Sequence, residues 1–145
     1  MNALGQVTAA QNFSVGYHNH FWERNRLGDG SLAYDLLGEQ LSAQIVAEVD
    51  LLWAPFAGQD ALEIITRLSD RVRLLHAGDA SPVTNTVHQL AAGSGDVPIA
   101  AALDLPGIRI EAVFIKVTTP PPSTTELDLT AASLSWLSRH VTARS

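Results

Sequence analysis

The chain has 145 residues, of which 46% are hydrophobic and 17% charged, with a formal net charge of -6, and these values predict one globular domain that does not bind nucleic acid. The absence of cysteine excludes disulfides, thiolate metal sites and a cysteine nucleophile. Without a signal-peptide pattern or a membrane-length apolar run, we expect a cytoplasmic protein that has no membrane partner.

The first third of the chain predicts helices alternating with strands. Asn2 to Gln11 is rich in alanine and predicts a helix, and Phe13 to His20 predicts the first strand. After a polar turn, Ser31 is predicted to cap a helix that ends at Leu41. Ile45 to Leu52 is almost continuously apolar, which is typical of a strand buried on both faces.

The remainder of the chain continues this alternation. Apolar periodicity, capping residues and Gly or Pro breakers predict the successive elements. In order, they are a loop over Trp53 to Gln59, a helix from Asp60 to Leu68, a third strand over Val72 to His76, a long connection from Ala77 to Val97, a short helix from Pro98 to Leu103, a fourth strand over Ile108 to Val117, and a last helix from Glu126 to His140 whose apolar side carries Leu127, Leu134 and Leu137.

Strands separated by helices predict an α/β fold with parallel pairing and right-handed crossovers. Four such βα units are compatible with two architectures. One is a small open doubly wound sheet, and the other is half of an eight-unit barrel. In both architectures the ligand site lies at the carboxyl ends of the strands.

Polar residues stand at that end of each predicted strand. They are His18 and His20, with Glu23 beyond, on the first strand; Glu48 and Asp50, followed by Trp53, on the second; His76 on the third; and Lys116 on the fourth. Because side chains alternate along a strand, His18 and His20 are expected to share one face and Asn19 the other.

These residue types predict a divalent metal site, since imidazole and carboxylate groups suit Mn, Co, Zn or Mg. Such a metal can polarise a carbonyl and stabilise an enediolate, while a nearby carboxylate moves the proton. The alternative is purely structural, with His76 as a hydrogen-bonded core histidine and Asp50 as a local cap. Gly93 to Asp96 could bind a phosphate through backbone amides, or form a plain flexible turn.

Four stretches of the sequence resemble, in order, the motifs of one protein superfamily. Gly16 to Glu23 resembles GYHNHxxEF, Glu48 to Trp53 resembles ELDxxW, Arg71 to Asp79 resembles RxxLLHxKD, and Gly93 to Val97 resembles GEGxID. These are motifs of sugar phosphate isomerases/epimerases of the xylose isomerase-like TIM-barrel superfamily.

The resemblance implies that residues 1–145 form a single domain, the C-terminal half of a (β/α)8 TIM barrel with strands five to eight. It also implies a metal-dependent isomerase or epimerase acting on a sugar or sugar phosphate, or a lyase of the inosose dehydratase type. Carried over by position, it implies Asp50 and His76 as metal ligands, with His18, or in its place His20, where many members have a glutamate ligand. The strand-end residues themselves add Glu48 and Lys116 as catalytic candidates, and His20, Trp53 and Glu23 as substrate-binding candidates. Glu48 could instead be only an ion-pair partner, and Trp53 could serve only in packing.

The sequence departs from the family pattern at Lys116, which stands where related enzymes place a glutamate ligand. A charged lysine cannot ligate a metal and would repel one. Gly78 and Ser94 also replace a lysine and a glutamate of the motifs. These departures favour an alternative, a catalytically inactive half-barrel that binds a sugar or a partner chain. Four βα units leave two open sheet edges, so we expect a homo-oligomer or a complementing half-barrel chain.

Overall fold

The computed structural model describes residues 1–81 and 88–142. Part of the predicted connection from Ala77 to Val97 therefore lies outside the described residues. The helices are α1 Asn2–Ala9, α2 Ala33–Gln40, α3 Trp53–Phe56, α4 Ala61–Leu68, α5 Ile99–Leu103 and α6 Glu126–Thr142. The strands are β1 Val15–His18, β2 Ile45–Asp50, β3 Val72–Ala77, β4 Asp79–Ala80, β5 Gln89–Leu90 and β6 Ala112–Ile115.

The main sheet has four strands in the order β1-β2-β3-β6, and every neighbouring pair is parallel. The predicted α/β alternation is therefore confirmed. His18 is level with Glu48, and Asp50 is level with His76, so the polar strand ends meet at one rim of the sheet. Within the described chain, β1 and β6 form the two edges.

The two faces of this sheet have different surroundings. One face, which includes Val49 and Leu75, packs with Ile64 and Ile65 of α4 in the hydrophobic core. The opposite face carries Val46, Leu74 and Phe114 together with the polar rim, and Phe114 is 45% exposed. The described helices thus cover one face and leave much of the other open, as expected for part of a barrel wall.

Two helix starts were tested directly by the structure. Asp60 caps α4 as predicted, since its Oδ1 accepts hydrogen bonds from the amides of Leu62 and Glu63. The prediction that Ser31 caps α2 is wrong: the cap is Leu32, while the Ser31 hydroxyl donates to Asp29 at 2.6 Å. A local turn therefore outcompetes the capping role of this serine.

The segment from Trp53 was expected to be a loop, but Trp53–Phe56 forms a short helix. Pro55 lies within its first turn, where a missing backbone donor costs nothing. Gly58 follows the helix with a φ of +67°, a conformation that favours glycine. Pro55 is therefore accommodated within the helix, and Gly58 follows its end.

The buried side of α6 also differs from the prediction. Leu129, Ser133 and Leu137, four residues apart, face the interior. Leu127 and Leu134 are 76% and 58% exposed. Ser133 donates to the Leu129 carbonyl and accepts from the Ala92 amide, so this polar residue belongs to the packed side. No helix of the described ranges is both long and apolar enough to span a membrane.

Candidate functional site

The Asp50 carboxylate is the centre of a polar cluster at the carboxyl ends of the sheet strands. Its Oδ2 lies 3.7 Å from His18 Nε2, 3.8 Å from His76 Nδ1 and 3.0 Å from Lys116 Nζ. The cluster residues come from β1, β2, β3 and the position directly after β6. We call His18, Asp50, His76 and Lys116 the rim cluster. The structure thus brings together four residues that the sequence placed at the strand ends.

Asp50 is held in place by backbone and side-chain bonds on its buried side. Its side chain is fully buried, and its Oδ1 accepts a hydrogen bond from the Leu52 amide at 3.0 Å. The Asp50 amide donates to Asn19 Oδ1 at 2.9 Å. Asn19 is itself fully buried, and it was not predicted as a site residue. Its position between two histidines gave no sign that it would bridge two strands.

The two imidazoles of the rim cluster are neutral at neutral pH. Their facing nitrogens, His18 Nε2 and His76 Nδ1, are 3.3 Å apart. Burial lowers the pKa of each imidazole below the usual 6.5, although the Asp50 carboxylate favours the charged forms. Neutral imidazoles offer lone pairs or single N–H donors, as metal binding and ligand hydrogen bonding require.

Glu48 and Lys116, the two catalytic candidates, lie beside these imidazoles. Glu48 is partly exposed, and its Oε2 is 3.8 Å from His18 Nδ1. The Lys116 ammonium lies 5.5 Å from the centre of the Trp53 ring. A carboxylate in contact with His18 and an ammonium group in contact with Asp50 therefore both lie at this partly open rim.

Gln89 fixes the backbone that carries Lys116. This residue is buried, and its amide nitrogen donates to the Lys116 carbonyl at 3.0 Å. Its amide oxygen accepts from the backbone amides of Thr118 and Thr119. Gln89 was not predicted as a site residue, because nothing in the local sequence indicates that it contacts a strand end 27 residues away.

Aromatic side chains form a wall beside the cluster. The His20 ring stacks on Trp22 with centroids 4.4 Å apart, and Phe21 lies 5.6 Å from Trp53. Phe21 and Trp22 are about half exposed. In the described structure, His20 Nδ1 and Trp53 Nε1 have no hydrogen-bond partner. His20 and Trp53 lie in this wall, and their role in substrate binding stays a prediction. Phe21 and Trp22 belong to the same wall and were not predicted as site residues.

Glu23 contacts strand β1 and the loop that follows it. Its carboxylate accepts hydrogen bonds from the Tyr17 hydroxyl at 2.7 Å and from the His20 amide at 2.9 Å. Burial alone would raise the pKa of Glu23, but these hydrogen bonds outweigh it and lower the pKa. They also position His20, and the role of Glu23 in substrate binding stays a prediction.

The glycine-rich segment does not offer its amides to a phosphate. The amides of Gly93 and Gly95 donate to Asp79 Oδ2 at 2.8 and 3.0 Å, and the Val97 amide donates to Asp79 Oδ1. A Cβ on Gly95 would lie 2.4 Å from Asp79 Oδ1, so this close approach requires glycine. The phosphate interpretation is therefore wrong for these amides, since a buried carboxylate already occupies them.

The donor set fits a divalent metal only in part. One ligand atom each from His18, Asp50 and His76 lies within 4.8 Å of the others, and these donor types suit Mn, Co or Zn. Lys116, however, already binds the Asp50 oxygen that a metal would need. A second cation beside this ammonium would meet strong repulsion. The rim cluster, with Lys116 in place, does not fit a resident divalent metal.

The similarity of this chain to known proteins lies in its fold. No protein-family model and no curated protein matches this sequence. Two solved structures of sugar phosphate isomerases/epimerases from Parabacteroides distasonis match 94% of the chain with TM-scores of 0.74 and 0.76, at 23% and 20% identity. The chain spans 50% and 48% of those two chains. It therefore has the fold of about half of a sugar phosphate isomerase/epimerase, which agrees with half of a TIM barrel.

Proposed function

We propose that this chain is a half-barrel of the sugar isomerase/epimerase type that binds a sugar or sugar phosphate at the rim cluster. The observation that carries this proposal is the convergence of His18, His76 and Lys116 on one Asp50 oxygen, at distances of 3.0 to 3.8 Å. The carboxyl ends of parallel strands are the usual position of active sites in barrels of this class. The shared fold of the solved isomerases/epimerases supports the substrate class.

The residues suggest roles in moving a hydrogen between neighbouring carbon atoms. Lys116 donates a hydrogen bond to a carbonyl oxygen of the sugar and stabilises the negative charge of an enediolate. Glu48 accepts the proton from the adjacent carbon and returns it to its neighbour. Trp53 packs against the apolar face of the sugar, and His20 donates to or accepts from a hydroxyl.

A binding protein without catalysis is the second candidate. The observation in its favour is the Lys116–Asp50 pair, because Lys116 stands where the family resemblance implies a metal-ligating glutamate. Such a half-barrel would keep the sugar contacts of His20 and Trp53. The metal-dependent version of the enzyme would require Lys116 to leave Asp50.

Deuterium exchange separates these candidates. The full chain is incubated in D2O with a panel of ketoses, aldoses and their phosphates, and incorporation beside the carbonyl is followed by NMR. An enzyme incorporates deuterium, and Glu48→Gln slows incorporation at least about 100-fold. Glu39→Gln, which changes an exposed carboxylate on α2, is the matched control and keeps the rate.

Binding without exchange would favour the inactive half-barrel. Binding is read from the fluorescence of the tryptophans during sugar titration, with Trp53→Leu as the variant expected to lose the signal and the affinity. A full chain that neither binds nor exchanges any sugar of the panel would contradict the proposed function.

A further inference from the structure

We propose that the Lys116 ammonium takes the place of a divalent metal ion in the rim cluster, so that the cluster binds a ligand oxygen through this ammonium. The proposal rests on the rim cluster being the ligand site. It differs from the metal-dependent function that the sequence suggested. The difference lies in the group that supplies the positive charge at the site, which we propose is the Lys116 ammonium and not a metal ion.

The donor atoms of the cluster have the spacing of a metal site. Ligand atoms about 2.1 Å from a tetrahedral ion lie about 3.4 Å from one another. His18 Nε2 and His76 Nδ1 are 3.3 Å apart, and they lie 3.7 and 3.8 Å from Asp50 Oδ2. Three donors at this spacing define a cation site, and the cation that contacts Asp50 is the Lys116 ammonium.

The charges of the cluster balance without an added ion. Asp50 carries one negative charge on a fully buried side chain, and Lys116 carries one positive charge 3.0 Å away. An additional divalent ion on Asp50 Oδ2 would lie next to that ammonium. At about 4 Å, the repulsion between the two cations would weaken ion binding at least about 100-fold. Lysine and metal therefore exclude one another at this carboxylate.

Lys116 is held in the site and does not behave as a mobile surface lysine. Its side chain is only 16% exposed, and it contacts the Trp53 ring. Gln89 binds the Lys116 carbonyl, and the Lys116 amide donates to the Ala77 carbonyl at 3.4 Å. An ammonium fixed in this way can donate to a ketose carbonyl oxygen, which is the oxygen that becomes charged in an enediolate.

Cobalt binding tests the exchange of lysine for metal. Untagged full-length wild type, Lys116→Gln and Lys116→Arg are dialysed against Co²⁺, and bound metal is measured by elemental analysis and visible absorption. We expect no stoichiometric Co²⁺ on the wild type or on Lys116→Arg, which keeps the positive charge. Lys116→Gln is expected to bind one ion per chain at least about 100-fold more tightly. Adding His76→Ala to Lys116→Gln should abolish that binding.

Two results would overturn the proposal. One is a wild type that binds one Co²⁺ per chain and loses it in Asp50→Asn. The other is a folded Lys116→Gln that binds no more Co²⁺ than the wild type. If Lys116→Gln folds only when Co²⁺ is present, the proposal is supported. If it does not fold at all, wild-type dialysis decides, since stoichiometric metal overturns the proposal and its absence supports it.

These measurements use no sugar, so a failure here can be told apart from a failure of the proposed function. Sugar binding by the wild type in the presence of EDTA provides the complementary result. Binding that survives EDTA and is lost in Lys116→Gln agrees with an ammonium-based site. Binding that EDTA abolishes contradicts the ammonium proposal and leaves the sugar-binding function standing.

Discussion

The buried ion pair between Asp50 and Lys116 makes a stability prediction whose size follows from the structure. The Asp50 side chain is fully buried, and Lys116 Nζ lies 3.0 Å from its Oδ2. At an effective dielectric constant of about 20, this separation gives an attraction of about 5 kcal/mol. Lys116→Met would leave a buried, unpaired carboxylate. We expect this variant to lower the free energy of unfolding by about 3–5 kcal/mol.

A double-mutant cycle isolates the pair from the other effects of each substitution. Asp50→Asn, Lys116→Met and the double variant are unfolded in urea and followed by tryptophan fluorescence and circular dichroism. The double variant should recover part of the loss, because no buried charge then remains unpaired. We expect a coupling free energy of about 2–3 kcal/mol.

The ion pair between Arg73 and Glu111 is the matched control. Its side chains are 38% and 42% exposed, so its coupling free energy should be below about 1 kcal/mol. A coupling free energy between Asp50 and Lys116 no larger than that of the exposed pair would contradict this expectation, because it would mean that the buried pair does not form in solution.

Three further predictions concern other parts of the chain. Gly95→Ala should lower the free energy of unfolding by about 1–3 kcal/mol, because the added Cβ would clash with Asp79. The control variant Gly38→Ala should be tolerated, because its Cβ would have only one neighbour, at 3.7 Å. Equal urea midpoints for the two variants would contradict this prediction. Because the pKa of Glu23 is lowered in the folded protein, its carboxylate stabilises the fold above the usual pKa of 4.5, and this stabilisation is lost as the pH falls through the pKa of the folded state. Glu23→Gln should remove this part of the pH dependence of the melting temperature. An unchanged pH profile would contradict the prediction. The exposed Phe114 on the open sheet face predicts self-association or association with a complementing chain. Light scattering should show oligomers of the wild type, and Phe114→Glu should weaken their association. A well-folded wild-type monomer at all concentrations would contradict this prediction.

The strand-end residues could be predicted because their placement follows from a simple topological rule. An apolar run that ends in His18, Asp50 or His76 fixes the polar residue at the carboxyl end of a strand, and parallel pairing brings those ends together. The Asp60 cap followed from equally local chemistry. Predicting these features requires only the direction of the chain and the hydrophobic period of each helix and strand.

The residues that support the site could not be predicted in this way. Asn19, Gln89 and Asp79 are buried polar residues whose partners include backbone groups of distant segments, such as the Asp50 amide that binds Asn19 across 31 residues. Such partners are defined only once the sheet has formed. The prediction of which side of α6 is buried was wrong for a related reason. Several leucines of this helix could face the core, and only the packing of the folded chain selects among them.

Crystals of the wild-type protein grown with Co²⁺ would show which cation contacts the Asp50 carboxylate. An anomalous difference map reports whether cobalt is bound among His18, Asp50 and His76. We expect no anomalous peak there, with Lys116 Nζ within hydrogen-bonding distance of Asp50 Oδ2. A cobalt peak bound by these three side chains, with Lys116 displaced from Asp50, would contradict it.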